Sequence, residues 1–149
     1  MQIQTLKRLI VLSVLGVLAA ISAQAQSGNQ FTVTIPFDFY VGGKTLTAGQ
    51  YNVGRSTQAS AEGLVLRATD SRAGVFVQTL GIQTEARQQE SKLVFRRYGD
   101  QYFLGQVWTS GRSTGRGLPN SRKERSIAKE IAKYGASPEK VAVVVGDSR

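Results

Sequence analysis

Residues 92–109 read KLVFRRYGDQYFLGQVWT, two alternating arms on either side of Gly99-Asp100. Glycine in the first place of a two-residue turn suits a β-hairpin, because the turns that match the twist of paired strands need positive φ at that position. Folding the arms about this turn sets Tyr98 opposite Gln101, Arg97 opposite Tyr102 and Phe95 opposite Leu104. Leu93, Phe95, Leu104 and Trp108 then share one face, the expected core side.

Working outward, Phe31, Val33, Ile35, Phe37, Phe39 and Val41 alternate with Thr32, Thr34, Pro36, Asp38, Tyr40 and Gly42. This period of two predicts a half-buried strand. Pro36 has no N–H for a ladder, so the run is expected to bend there and lie at an edge. Turns at Gly42-Gly43 and Ala48-Gly49 lead into a second arm with Tyr51 and Val53, and Leu64–Ala68 and Val75–Leu80 supply further strands. The expectation is a mainly β fold, an antiparallel β-sandwich or small barrel of about six to eight strands with one C-terminal amphipathic helix.

That helix is signalled by the capping box Ser121-Arg122-Lys123-Glu124 after Pro119, with Gly135 as its stop. Helical spacing gathers Ile127, Ala128, Ile131 and Tyr134 on one side and Arg122, Arg125, Lys129 and Lys133 on the other. The helix is expected to dock by its isoleucines and show its cations. Val141–Val145 could add a last strand. The predicted organisation is a signal peptide over 1–25, a β domain over 26–118, the helix within 119–135, and a tail over 136–149.

The signal peptide is read from Lys7 and Arg8, the apolar run Leu9–Ile21 and the small-x-small site Ala23-Gln24-Ala25. The chain is therefore expected to be exported, periplasmic or extracellular, with Gln26 as its first mature residue and no transmembrane segment after cleavage. Removing 25 of the 149 residues leaves 124, enough for one core that buries roughly 65% of its unfolded surface. The sequence has no cysteine and no histidine, so disulfides, Ser-His-Asp triads and ordinary zinc sites are excluded. No catalytic residue, cofactor or metal ligand is assigned.

Two apparent motifs fail on context. Gly43-Lys44-Thr45 has the tail of a P-loop, but position 38 holds Asp38 instead of glycine, and a turn follows where a helix is needed. Ser126-Ile127-Ala128-Lys129 matches S-x-x-K without its companion elements, on the cationic side of the helix. Among Asp38, Glu62, Asp70, Glu85, Glu90 and Asp100, a glycosidase-type pair would be defined by separation in space, and most of these acids sit in expected turns.

Charge is the stronger signal. Arg96–Lys133 contains nine Lys or Arg against three acids, and holds nearly all the positive excess of the mature chain. Such a region attracts anionic polymers. The candidate anion-binding residues are Arg112, Arg116, Arg122, Arg125, Lys129 and Lys133. Arg112 and Arg116 lie in SGRSTGRGLP, residues 110–119, read as a glycine-rich loop. Export disfavours nucleic acid as the partner, and Tyr98, Tyr102 and Trp108 read as strand packing. An alternative reading makes the basic face a solubility feature.

The phrases FTVTIPFDFYVGGKTLTAGQYNV and KLVFRRYGDQYFLGQVWTSG…GRGLPNSRKER resemble a family of small exported bacterial proteins with no established activity. The similarity spans about Phe31 to Ile127 and rests on Ile35, Pro36, Phe37, Phe39, Gly43, Leu46, Ala48, Gly49, Tyr51, Tyr98, Gly99, Phe103, Trp108, Pro119, Ser121 and Glu124. Members often have proline where this chain has Thr47. The resemblance implies one exported β domain with a helical end, and supplies neither a catalytic residue nor a ligand.

Three functions stand open at this level. The first is a non-enzymatic binding module for an anionic envelope component or a protein partner. The others are a small carboxylate-dependent hydrolase or pocket-type enzyme, and an assembly protein that pairs through an edge strand near Pro36 or Val141–Val145.

Overall fold

The apolar run that starts at Phe31 divides at Pro36 into β1 (Gln30–Ile35) and β2 (Phe39–Val41), which belong to different sheets. The computed structural model describes residues 30–56 and 63–146; the expected signal peptide and Glu62 lie outside them. β1 forms an edge, as Pro36 suggested, and pairs with β4 (Gly49–Arg55). β5 (Gly63–Ala68) and β6 (Gly74–Gln78) complete this small sheet in the order β1-β4-β5-β6.

A second run also changes sheets. Val75 to Leu80 is interrupted at the buried Thr79, and the chain resumes as β7 (Leu80–Gln83) in the other layer. Strands that cross at bends form the corners of sandwiches. The large sheet runs β11-β8-β9-β10-β7, from β8 (Lys92–Tyr98), β9 (Gln101–Trp108), β10 (Thr114–Gly117) and β11 (Glu139–Val144). β2 adds to the first half of β9 in parallel and pairs with β3 (Lys44–Leu46). The two sheets do not close into a barrel; the fold is a β-sandwich with the single described helix α1 (Arg122–Ala132) near its C-terminal end. Its eleven described strands exceed the expected number because both long runs split and two glycine-containing segments pair.

The core fills the space between the layers with Val33, Ile35, Tyr51, Val53, Leu64, Leu66, Val75 and Val77 from one side and Phe39, Leu93, Phe95, Leu104 and Val107 from the other. Phe37, in the crossing, stacks on Tyr102 at 3.8 Å between centroids and meets Phe95 edge-on.

The hairpin forms in the expected register around Gly99 (φ +60). The expectation fails beyond Phe95. Phe95 faces Leu104 but Val94 faces Gln106, so Gly105 is an extra residue that inverts the side-chain alternation after it. Val107 therefore takes the core place expected for Trp108. Trp108 is buried on the opposite face, where its ring covers Gly115; a Cβ there would lie 2.6 Å from a ring carbon.

That contact explains a second correction. Residues 114–117 of the expected loop are strand β10, between β9 and β7. Gly115 and Gly117 weaken the strand signal in the sequence, yet here they make room for Trp108 and Ile82.

The Gly42-Gly43 turn, with φ of +57 and +79, closes the β2–β3 hairpin, and Lys44 begins a strand. This is the geometry of a type I′ turn, and a P-loop would need a helix there. Asp38 accepts a hydrogen bond from the Ala48 N–H at 2.8 Å, so this acid ties the hairpin's far end.

Candidate anion-binding site

α1 attaches differently from its amphipathic pattern. Ser121 caps it, its hydroxyl accepting from the Glu124 N–H at 3.1 Å. The other half of the expected capping box is diverted. The Glu124 carboxylate, buried, instead receives Arg96 through Nε and, at 3.0 Å, through Nη2, and the Tyr98 hydroxyl at 3.2 Å. Ile127, Ala128 and Ile131 are half-buried, and Tyr134, expected on the docked side, is 80% exposed. Gly135 (φ +71) ends the helical turn as expected.

Burial first, then the neighbouring Glu124 charge and hydrogen bond, push the Tyr98 hydroxyl above its ordinary pKa, with Arg96 opposing. Arg96 lies across Gly105, where a Cβ would stand 2.6 Å from its Nη1. Arg96 is thus committed to Glu124, Arg97 bonds Glu139 at 3.3 Å, and Lys133 bonds Glu130 at 3.0 Å. Three of the nine basic residues counted in that region are thus committed to carboxylates of the protein itself.

The six candidate cations separate into two groups. Arg122 lines a shallow depression with Lys123, Ser126, Tyr40 and Phe103, and Lys123 sits 3.9 Å above the Tyr40 ring. Arg125, Lys129 and Lys133 are exposed along α1, with Arg125 also bonded to the Asn120 carbonyl. Arg112 and Arg116 instead line a cleft of about 350 Å³ at the end of the sandwich that holds Val107 and Leu64.

Strand registers aim two arginines into that cleft from opposite sheets. Arg116 lies directly opposite the core residue Val107, and Arg55 directly opposite the core residue Leu64, so both side chains leave the inner faces of their sheets. Packed sheets stand roughly 10 Å apart, close enough for both guanidiniums to meet one ligand. Phe31, Val53, Leu64 and Val107 give the cleft apolar walls, and its described lining includes no carboxylate. Each of Arg55, Arg112 and Arg116 also interacts with other groups of the protein.

Arg112 is exposed at the rim, on a loop held by backbone bonds: the Gln88 N–H donates to the Arg112 carbonyl and the Gly111 N–H to the Gln88 carbonyl, at 2.9 and 2.8 Å. Arg55 was absent from the sequence-derived set. The signal for it was there, since it continues the alternation Tyr51, Val53 that marks the inward face.

The five clefts described by their lining contain one carboxylate, Glu124, already bonded to Arg96 and Tyr98. Among the described residues, no helix is long and apolar enough to cross a membrane. No protein-family model, curated protein or solved structure matches this chain.

Proposed function

We propose that this chain is an exported, non-enzymatic binding module that engages an anionic envelope component, as the family it resembles would allow. Its contacts are Arg112 and Arg116, joined by Arg55, while Arg122, Arg125, Lys129 and Lys133 on α1 provide a longer-range attractive field. One observation carries the reading: arginines from both sheets converge on a cleft whose described lining holds no acid. Charge-assisted, bidentate hydrogen bonding makes arginine suited to carboxylate, sulfate and phosphate groups. Retention of the protein on heparin across a sodium chloride gradient tests this. Arg112→Gln/Arg116→Gln should elute at clearly lower salt than the unsubstituted protein; identical elution would contradict the proposal.

A protein partner is the second reading, favoured by Phe76 and Leu80, which are 47% and 63% exposed on either side of the Thr79 corner, where β6 forms a sheet edge. An exposed edge can accept an extended segment of another chain. Sedimentation of the protein at rising concentration tests self-pairing: Phe76→Ser/Leu80→Ser should abolish any association seen.

A further inference from the structure

Three backbone bonds fix which way the edge strand β6 faces. The Ser56 N–H donates to the Gly63 carbonyl at 3.1 Å and the Thr69 N–H to the Gln50 carbonyl at 3.0 Å, so the odd-numbered residues of β5 bond to β4. The Ala68 N–H donates to the Ala73 carbonyl at 2.9 Å, so the even-numbered ones bond to β6. Bonded positions alternate along an antiparallel pair. Leu64 and Leu66 therefore hold Val77 and Val75, and the N–H and C=O groups of Gly74, Phe76 and Gln78 point away from β5, where the sheet ends. Edges are normally guarded by charge, proline or a covering element. β1, the opposite edge, is followed by Pro36 and has β11 beside it. Along β6 and β7, residues 73–84 contain neither a charged residue nor a proline.

Two cations stand beside this open edge. Arg67 lies opposite Gly74, and a Cβ on Gly74 would be 3.4 Å from the Arg67 Cγ, so the arginine stem starts out across the glycine toward the edge. Arg72 is exposed in the turn that leads into β6, and lines one shallow depression with Arg67, Gly74 and Phe76 that contains no carboxylate. Among the described residues, neither guanidinium is paired with an acid of the protein.

We propose that β6 receives an extended, acidic segment of another protein, which adds antiparallel to it as a fifth strand of the small sheet and sets a carboxylate opposite Gly74, between Arg67 and Arg72. The inference rests on the second reading above, that the β6 edge meets a protein, and it names that partner's chemistry and register. The added backbone satisfies the outward groups of Gly74, Phe76 and Gln78. Its alternate apolar side chains continue the inner face beyond Val75 and Val77, both buried. A second copy of this chain, paired through its own β6, brings no acid to the two arginines, because Gly74–Gln78 contains none.

Fluorescence anisotropy with a labelled peptide is the test. The probe alternates threonine and valine and carries glutamate at the position that faces Gly74; its control has glutamine there. The glutamate peptide should bind one per chain and about fivefold more tightly than the control at low ionic strength, the upper range for exposed ion pairs. Methylating the peptide amides that face β6 should abolish binding, and methylating the alternate amides should not.

Two variants locate the site. Arg67→Gln/Arg72→Gln should bring the two peptides to equal affinity. Phe76→Pro removes an N–H that faces outward, so it breaks no bond within the sheet, and the folded variant should bind neither peptide. Equal affinity of both peptides for the unsubstituted protein would overturn the acidic partner and leave the edge reading standing. Failure of both peptides to bind, or binding indifferent to which amides are methylated, would remove the edge reading as well. Self-association that the folded Phe76→Pro variant loses would make a second copy the occupant and overturn the proposal.

Discussion

Arg96 grips Glu124 with two nitrogens across 28 residues of sequence, and this buried pair joins the central hairpin to the first turn of α1. The side chain of Glu124 is 2% exposed and that of Arg96 is 19% exposed. An eleven-residue helix is marginal on its own, and with its isoleucines only half-buried α1 depends on this attachment. Removing one partner leaves the other charge poorly solvated, so Glu124→Ala should destabilise the protein by about 3 kcal/mol in urea unfolding. Arg96→Met/Glu124→Leu should recover much of that loss. Additive losses in the double variant would contradict the pairing.

The Tyr98 hydroxyl predicts a pH dependence. Its pKa is raised in the folded protein, so the folded state retains the proton that the unfolded chain releases near pH 10. The stabilisation is therefore fully present below about pH 10 and lost as pH rises through the folded-state value. Tyr98→Phe should cost about 1 kcal/mol at neutral pH, through the lost bond to Glu124. That gap should narrow as the solution is taken above about pH 10. Urea midpoints for both proteins at neutral and alkaline pH check this, and a constant gap would count against it.

Gly115 tests the placement of Trp108, the single tryptophan of the sequence. A Cβ there would stand 2.6 to 2.9 Å from three ring carbons. Gly115→Ala should therefore force the indole aside, lower stability by about 1 to 3 kcal/mol and shift the tryptophan emission. Unchanged fluorescence and stability would show that the ring does not cover this glycine.

Tyr134 is expected to matter little. Its exposure places it outside the packed surface, so Tyr134→Ser should change stability by no more than about 0.5 kcal/mol in thermal unfolding. A loss of about 2 kcal/mol would instead fit the docked face that helical spacing suggested.

Much of the sandwich was legible in side-chain alternation. Phe31 to Val41, Leu64 to Ala68 and both arms about Gly99 carry a period of two strong enough to place their strands, and Ser121 and Gly135 mark the helix. What was not legible depended on tertiary contacts. Pro36 signals a bend but not that the chain crosses to another sheet. One inserted residue, Gly105, exchanged the faces of Val107 and Trp108, and no local pattern distinguishes it from an ordinary strand glycine. Glu124 carried a valid capping-box signature, yet a half-buried arginine from a distant strand competed for its carboxylate. The basic region was visible as a sum of charges; its division between a helix face and an inter-sheet cleft follows from registers that pair Arg116 with Val107 and Arg55 with Leu64.

The most direct measurement sets those two groups against each other on one heparin column. Arg55→Gln/Arg112→Gln/Arg116→Gln removes three charges at the cleft, and Arg122→Gln/Arg125→Gln/Lys129→Gln/Lys133→Gln removes four from α1. Specific binding in the cleft predicts that the triple variant elutes at lower salt than the quadruple variant, although it retains one more positive charge. Earlier elution of the quadruple variant would contradict the cleft as the binding site and leave only diffuse attraction to the basic helix.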